Sequence, residues 1–272
     1  MSEHLIRKYY ANNVKKEWRR LVRDPYHQLE FITTMHYLKR YLPSSGLILD
    51  AGGGPGRYTI ELARQGYDVV LLDFVAENLE FAKRQIKRAK VQKHVKALVE
   101  GSIDNLEQFD NNTFDAVLCL GGPLSHVVDR DRREKAVSEI IRVAKENAPI
   151  FVSVIGRLSV LIEALIRFPD EIELPHFKEV RDTGDYLGGY GFAPAHFFLP
   201  EELYDLFNKH NVKILEMVGL EGLSSHHRRK TNILAKNKIR WGIWLETHFK
   251  TCTHLAVVGL SEHILIICRK IK

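Results

Sequence analysis

The feature that most constrains the fold of this chain is a glycine-rich turn between an apolar run and a helical pattern. The apolar run ends at Asp50, and three alternating glycines follow it at fixed spacing, Gly52, Gly54 and Gly56. Glycine permits tight turns and lets a ligand approach the main chain closely. A second apolar run ends at Asp73, where a carboxylate commonly binds both ribose hydroxyls. The stretch therefore predicts a strand–turn–helix–strand unit that holds a nucleoside.

A nicotinamide-dinucleotide loop is the main alternative interpretation of these glycines. Its pattern, G-x-G-x-x-G, places the third glycine three residues after the second. Counted from Gly52, that position holds Arg57. The spacing D-x-G-x-G-x-G is more typical of a loop that binds S-adenosylmethionine, and it predicts this cofactor. A glycine-rich turn without a ligand is the remaining alternative, and the two acidic residues that end the strands argue against it.

Alternating apolar runs and amphipathic patterns predict an α/β fold. Strands are expected at 47–50, 69–73, 95–99, 114–120 and 149–155, with helices near 57–65, 76–90 and 131–145. Such alternation implies a parallel sheet with helices on both faces. Later patterns predict helices at 200–210 and 238–254 and strands at 212–218 and 263–269. Together they predict a Rossmann-like, seven-stranded and mostly parallel sheet.

The chain is expected to form one domain with four parts. These are a helical N-terminal extension (1–42), a cofactor-binding half (43–156), a lid inserted after strand 5 (157–199) and the C-terminal half of the core (200–272). Residues 168–200 are rich in glycine, proline and aromatic residues and predict a long loop. Loops of that length inside a compact domain are usually functional, often as lids or binding loops.

Composition limits the other possibilities. The chain has 272 residues, 45% of them hydrophobic, which suffices for one full core. It shows neither an apolar signal segment at its start nor a run of 18 apolar residues, so no membrane partner is expected. Its three cysteines are widely separated and lack metal-ligand spacing. We therefore expect a cytoplasmic protein without disulfides and without a metal.

The positive charge is unevenly distributed. The formal net charge is +6, and residues 226–240 contain six Lys or Arg residues and no acid. Such a segment is compatible with a polyanionic partner. It predicts contact with nucleic acid, with a solvated helix face as the alternative.

The order of these motifs resembles that of the class I S-adenosylmethionine-dependent methyltransferases. The segments 50–56, Asp73, 101–104 and 114–123 fall in family order. A narrower resemblance rests on Tyr9-Tyr10 with Glu17-Trp18, on the loop 51–58 and on the segment 120–126. That combination is similar to a family that includes the ribosomal RNA N4,N4-dimethylcytidine synthases.

The resemblance implies a set of residues that contact the methyl donor. These are Tyr10, Asp50, Gly52, Gly54, Gly56, Asp73, Phe74, Ser102, Ile103 and Leu120. The adenine is expected beside Ser102 and Ile103. The chain departs from the common pattern there, because the acid that usually follows the glycine directly comes later, at Asp104. Tyr10 is expected to close over the donor, with ordinary helix packing as the alternative.

The acceptor site is less well defined. Many amino methyltransferases carry a short Asp/Asn/Ser-Pro-Pro-aromatic motif after the fourth strand, and here only the proline of that motif is present. The candidate catalytic or acceptor-orienting residues are Gly122, Pro123, Ser125 and His126. A structural hydrogen bond is the alternative role for His126. Candidate substrate contacts are Tyr190, His196, Arg228, Arg229 and Lys230, with the aromatic core of the lid as the alternative for the first two.

These observations predict an RNA methyltransferase that acts on the exocyclic N4 amine of a cytidine in small-subunit (16S) ribosomal RNA, to the N4,N4-dimethylated product. The expected partner is ribosomal RNA or a ribosomal subunit. The alternative is a small-molecule N- or O-methyltransferase. A third hypothesis is an RNA-binding or assembly factor that keeps the fold without catalysis, and the intact glycine loop with Asp73 argues against it. The oligomeric state is not indicated.

Overall fold

The first half of the chain builds the five parallel strands of the sheet. A computed structural model describes residues 2–272, and Met1, the first residue of the predicted N-terminal extension, lies outside them. The elements in order are α1 (Ser2–Arg20), α2 (Pro25–Tyr41), β1 (Leu47–Ala51), α3 (Arg57–Arg64), β2 (Asp68–Asp73), α4 (Ala76–Ala89), β3 (Val95–Glu100), β4 (Ala116–Cys119), α5 (Arg130–Val143) and β5 (Pro149–Ile155).

The second half adds two strands to the edge of the sheet and forms a separate two-stranded hairpin. Its elements are α6 (Arg157–Arg167), α7 (Pro175–Thr183), β6 (Asp185–Tyr186), β7 (Ala195–His196), α8 (Pro200–Asn208), β8 (Val212–Gly219), α9 (Arg228–Leu234), α10 (Lys238–Thr251), α11 (Leu255–Leu260) and β9 (His263–Lys270). None of the helices in residues 2–272 has the length and apolarity needed to span a bilayer.

The predicted seven-stranded sheet is confirmed. Its strand order is β3-β2-β1-β4-β5-β9-β8. The first five strands pair in parallel, and β9 pairs antiparallel with both β5 and β8. The chain leaves β1 toward β2 on one side and returns to β4 on the other, which opens a crevice at the carboxyl ends of β1 and β4. Ligands of open α/β sheets bind at such a switch point.

Both faces of the parallel strands are buried, as expected for a sheet covered by helices. Leu49 and Val117 face a cluster that includes residues of α5 and α8, whereas Ile48 and Leu118 face the side covered by α2 and α3. Leu38 of α2 is fully buried in this second cluster. The N-terminal helices are therefore part of the same core, and α1 leads from it to the crevice.

The prediction of an irregular loop over 168–200 is wrong. The segment contains a short 3-10 helix (Pro169–Glu173), the helix α7 and the β6–β7 hairpin. Pro175 occupies the first turn of α7, where its missing N–H costs nothing, and Gly184 ends that helix with a φ of 86°. Val180 packs with Tyr186 and Phe197 in a separate apolar cluster. Proline and glycine thus mark helix ends here rather than a loop.

Two predicted boundaries also change. The strand predicted at 114–120 begins only at Ala116, since Phe114 makes a single bridge to Ala144. The helix predicted at 238–254 ends at Thr251. His254 then caps the separate helix α11 by accepting a hydrogen bond from the Ala256 N–H.

Candidate active site

The glycine loop after β1 forms a cradle that side chains would fill. Gly52, Gly54 and Gly56 have φ values of 75°, 57° and 81°, in the left-handed region that L-residues rarely adopt. A Cβ atom on Gly52 would lie 2.6 Å from the ring of Pro123. The loop can keep this shape, and the space above it, only with glycine at that position.

Asp73 at the end of β2 is held firmly beside this cradle. Its carboxylate accepts hydrogen bonds from the N–H groups of Gly54 (2.8 Å) and Val75 (2.9 Å) and from the amide of Asn78 (3.1 Å). Its side chain is 5% exposed, and burial raises its pKa. Within residues 2–272 no Lys or Arg nitrogen lies within 4.0 Å of it. With no cation beside it, the carboxylate can still accept a hydrogen bond from a ribose hydroxyl, so the residues fit a bound nucleoside.

A cavity at this point brings most of the predicted cofactor residues together. Its wall includes Tyr10, Gly52, Gly54, Asp73, Phe74, Ser102, Ile103 and Leu120. Further wall residues that no sequence motif indicates are Ile6, Arg7, Asn78 and Arg132. Arg7 and Tyr10 come from α1, so the N-terminal helix forms one side of the cavity.

Asp50 and Gly56 do not line the cavity, so their contact with the cofactor stays a prediction. The Asp50 side chain is fully buried and accepts hydrogen bonds from the Thr59 N–H (3.1 Å) and hydroxyl (2.6 Å). Burial raises the pKa of Asp50 to about 6. Gly56 precedes α3, and a Cβ there would meet that of Ala82 at 3.2 Å. Both residues lie beneath the loop and hold it in place.

Asp104, the acidic residue that comes later than in the common pattern, pairs with a neighbouring arginine. Asp104 accepts hydrogen bonds from Arg132 Nε (2.5 Å) and from the hydroxyl of Ser102. Burial opposes ionisation of Asp104, but the bonds from Arg132 and Ser102 outweigh it and lower the pKa. Asp104 therefore supports the cavity wall through Ser102 and Arg132.

His126 has both ring nitrogens engaged. Nδ1 lies 2.8 Å from the carbonyl oxygen of Pro194, so Nδ1 carries the hydrogen. Nε2 then accepts from the hydroxyl of Tyr10, 2.6 Å away. Burial lowers the pKa of His126 to about 4, which keeps the ring neutral at pH 7. These contacts match the structural alternative for His126, because they tie α1, the loop after β4 and the lid together.

Two other candidate catalytic residues, Gly122 and Ser125, do not line the cavity, and their role stays a prediction. Ser125 is fully buried, and its hydroxyl accepts a hydrogen bond from the Ile155 N–H (3.0 Å). Gly122 has a φ of 92° and starts the short 3-10 helix 123–126. The preceding residue, Gly121, lines the cavity instead, together with Pro123.

A second cavity of about 1040 Å³ adjoins the first. The two cavities share Tyr10, Glu17, Arg20 and Gly121, and we call this shared region the junction. We call the second cavity the acceptor cavity. Its aromatic wall comes from the lid, with Phe168, Phe177, Tyr186, Tyr190, Phe192 and Phe197. Its polar wall includes Tyr26, Glu163, His226, Glu262 and His263.

Charged residues dominate the junction between the two cavities. Arg20 donates from Nε to Glu17 (3.1 Å) and from both terminal nitrogens to Glu30. Behind them, His263 lies 2.8 Å from Glu221 and 3.7 Å from Glu30. Burial disfavours the charged His263 ring, but the two carboxylates outweigh it and raise its pKa to about 9. The junction is thus held by alternating charges from α1, α2 and the β8–β9 edge.

The predicted substrate contacts divide between the two sides of the lid. Tyr190 lines the acceptor cavity, is 55% exposed and stacks on His176 with ring centroids 4.3 Å apart. His196 is buried between Asp185 (2.6 Å) and Glu202 (2.5 Å) and does not line the cavity, so these contacts match the alternative role in the core of the lid.

Only one of the three predicted basic contacts reaches the acceptor cavity. Arg228 lines it and pairs with Asp24 (2.8 Å). Arg229 and Lys230 are exposed on α9 and line neither of the two cavities. Sequence reasoning missed three acceptor-side residues, Glu17, Arg20 and Glu262. Glu17 enters it only as part of the Glu17-Trp18 segment, without a role, and Arg20 and Glu262 belong to no motif.

Comparisons with known proteins agree with this geometry. Residues 48–147 match a family model described as a methyltransferase domain. The chain is 27% identical over 198 residues to the ubiquinone biosynthesis O-methyltransferase of Rickettsia akari (strain Hartford), covering 71% of this chain and 69% of that protein. It is 27% identical over 152 residues to the glycine/sarcosine N-methyltransferase of Aphanothece halophytica, covering 54% and 53%.

Solved structures show the same fold. An S-adenosylmethionine-dependent methyltransferase from Methanosarcina mazei superposes with a TM-score of 0.60 at 20% identity, covering 86% of this chain and 97% of that one. The 1,6-didemethyltoxoflavin-N1-methyltransferase of Burkholderia thailandensis, solved with its substrate and S-adenosylhomocysteine, gives 0.59 at 15% identity, covering 99% and 89%.

The comparisons lend no support to the narrower resemblance to ribosomal RNA dimethylcytidine synthases. They support the broader one, since the family match spans the glycine loop and Asp73. The sheet order, the cradle over Gly52 and these matches identify the chain as a class I S-adenosylmethionine-dependent methyltransferase.

Proposed function

We propose that this enzyme methylates a nitrogen or oxygen atom of a small molecule. The observation that carries the proposal is the acceptor cavity, which opens from the cofactor cavity at Glu17, Arg20 and Gly121 and has a volume of about 1040 Å³. Small-molecule sites are concave, largely apolar and carry a few convergent polar groups. The names of the similar proteins, which refer to ubiquinone biosynthesis, to glycine and sarcosine and to didemethyltoxoflavin, support this alternative over ribosomal RNA.

The main contribution of the protein to this reaction is to align the acceptor atom with the methyl group. S-adenosylmethionine, when bound, supplies an electrophilic methyl group. Holding a nucleophile close to that group and in line with the breaking bond can account for most of the acceleration. Asp73 and the Gly52 cradle fix one partner, and the junction beside Gly121 is where the other would enter.

Glu17 is the candidate for orienting the acceptor atom. Its Oε2 receives the Arg20 bond, and its Oε1 has no protein donor among residues 2–272. A carboxylate at the junction can accept a hydrogen bond from an acceptor N–H or O–H and can take up the proton released after transfer. His126 is not available for this task while it holds Tyr10 and the Pro194 carbonyl.

The lid provides the exclusion of water. Phe192 contacts both Tyr9 (ring centroids 5.5 Å apart) and His126 (5.7 Å), which closes the lid against α1 and the loop after β4. A closed aromatic wall suits a compact organic acceptor. Opening of the lid would then be required for substrate entry and product release.

The experiment uses isotopically labelled S-adenosylmethionine. The protein is incubated in parallel with a small-metabolite extract, with naked ribosomal RNA and with unmodified small ribosomal subunits, and the products are separated by mass spectrometry. We expect label in a small metabolite, and no label with Asp73→Asn. Label confined to a methylated cytidine would overturn the proposal and establish the ribosomal RNA prediction, which stays untested until then.

A further inference from the structure

An unusual histidine lies in the polar wall of the acceptor cavity. His226 has a φ of 63°, a conformation that is uncommon for a residue other than glycine and is retained where the surroundings enforce it. Its side chain is only 7% exposed. Its Nε2 lies 3.0 Å from the hydroxyl of Ser159, whereas its Nδ1 is buried and has no hydrogen-bond partner among residues 2–272.

Two carboxylates face that unpartnered nitrogen. His226 Nδ1 is 3.5 Å from Glu163 Oε2 and 3.9 Å from Glu262 Oε1, both too long for a normal hydrogen bond. Ser159, Glu163 and Glu262 all line the acceptor cavity. Four polar side chains therefore converge on one part of its wall, two from α6, one from the turn before α9 and one from the turn before β9.

Glu262 is the least compensated of these groups. Its Oε1 accepts from the Tyr26 hydroxyl and from the His226 N–H (3.3 Å). No Lys or Arg nitrogen of the described chain comes within 4.0 Å of it. Burial, and then the charge of Glu221, raise its pKa. The side chain is nonetheless 29% exposed, so a ligand in the cavity can reach it.

The cations that line the cavity already have carboxylate partners other than Glu262. Arg20 pairs with Glu30, Arg167 with Glu163, and both Arg23 and Arg228 with Asp24. His263 pairs with Glu221. Glu262 is therefore the carboxylate of this part of the wall that has no lysine or arginine partner of its own, and a largely buried carboxylate is costly without a partner.

We propose that Glu262, flanked by Glu163 and His226, binds a positively charged nitrogen of the acceptor molecule. This inference rests on the proposed small-molecule function and names its substrate class, a protonated amine. An ammonium group carries three N–H donors, which suits a site formed mainly by acceptors. Charge-assisted hydrogen bonds to a carboxylate are about twice as strong as neutral ones, so the site would select amines over neutral or acidic compounds.

The test measures binding separately from turnover. The full chain, saturated with S-adenosylhomocysteine, is incubated with a small-metabolite extract, and the retained compounds are identified by mass spectrometry after removal of free ligand. The same extract treated with N-hydroxysuccinimidyl acetate, which converts amines into neutral amides, serves as the second probe. We expect the retained compounds to carry an amine and their recovery to fall about tenfold or more after acetylation.

Three variants make the assignment specific. Glu262→Gln should lower the recovery of amines about tenfold, a difference of about 1.4 kcal/mol in binding free energy. Glu262→Asp keeps the negative charge and should restore part of the recovery. Glu246→Gln is the matched control, because Glu246 is an exposed carboxylate on α10 that pairs with Lys250. Thermal melts of the ligand-free variants show whether each one folds.

The outcomes separate the two proposals. Equal recovery from treated and untreated extract, unchanged recovery with Glu262→Gln, or no retained compound at all would overturn the amine site. If labelled methyl groups then appear in a neutral or acidic metabolite, the proposed small-molecule function still stands. Label confined to RNA would overturn both.

Discussion

The cofactor cavity and the acceptor cavity are adjacent but are built in different ways. The essential parts of the cofactor cavity come from one short stretch, in which the Gly52 loop and Asp73 are joined by a single helix and contact each other directly. The junction of the acceptor cavity comes from distant segments, with Arg20, Glu30 and His263 on α1, α2 and β9. The cofactor cavity therefore depends on a local motif, whereas the acceptor cavity depends on ion pairs between residues that are far apart in the sequence.

The largest expected effect is on the charge network of the junction. Arg20→Met removes the hydrogen-bonded arginine partner of Glu30, which is 3% exposed, and leaves only the more distant His263 ring, 3.7 Å away. Breaking one partner of a buried ion pair costs about 3–5 kcal/mol, and urea unfolding should show a loss of that size. Arg64→Met is the control, since Arg64 is an exposed arginine paired with Glu61, and its loss should stay below about 1 kcal/mol. Equal effects of the two variants would contradict the tertiary origin of the junction.

The same network predicts a dependence of stability on pH. The pKa of His263 is about 9 in the folded protein, above its ordinary value of 6.5. The stabilisation is therefore fully present below about pH 6.5 and is lost as the pH rises through about 9. At 1.36 kcal/mol per unit this amounts to about 3 kcal/mol, measurable as the free energy of unfolding across that range. In His263→Asn the free energy of unfolding should depend less steeply on pH, and an unchanged dependence would show that another group titrates.

The donor site should respond to a change in one local residue. Gly52→Val places a β-branched side chain at a φ of 75° and against the Pro123 ring. Strain of about 1–3 kcal/mol, together with the filled cradle, should weaken S-adenosylhomocysteine binding about 100-fold in calorimetry. Gly242→Ala on α10 is the control, because no atom lies within 4 Å of its added Cβ. Retained affinity in Gly52→Val would show that the cradle does not hold the donor.

The smallest effect is expected where the two cavities meet. Tyr10→Phe removes the donor to His126 Nε2 and leaves that buried nitrogen unpaired. The cost should be about 1 kcal/mol of stability, with a few-fold change in turnover. A loss of turnover above about 100-fold, with donor affinity unchanged, would instead assign the Tyr10 hydroxyl a direct part in the chemistry.

Prediction from the sequence succeeded where contacts are local. The glycine spacing and the acid at the end of each apolar run indicate a nucleoside site, because a strand–turn–helix unit brings these residues together whatever surrounds them. It could not foresee the positions of Ser125 and His196, whose residue types suit catalysis or stacking but whose buried side chains form hydrogen bonds with Ile155 and Asp185. Residue type alone carries no information about which way a side chain faces.

The sequence by itself determined the alternation of strands and helices, the position of the methyl-donor loop and the carboxylate of Asp73, since each depends on residues close together in the chain. Tertiary structure decided the rest. In the folded chain the glycine-rich segment 168–200 forms a helix and a hairpin, and both ring nitrogens of His126 form hydrogen bonds. Glu17, Arg20 and Glu262 line the same cavity. Those arrangements depend on contacts between residues far apart in sequence, which form only when the packed core brings their elements together.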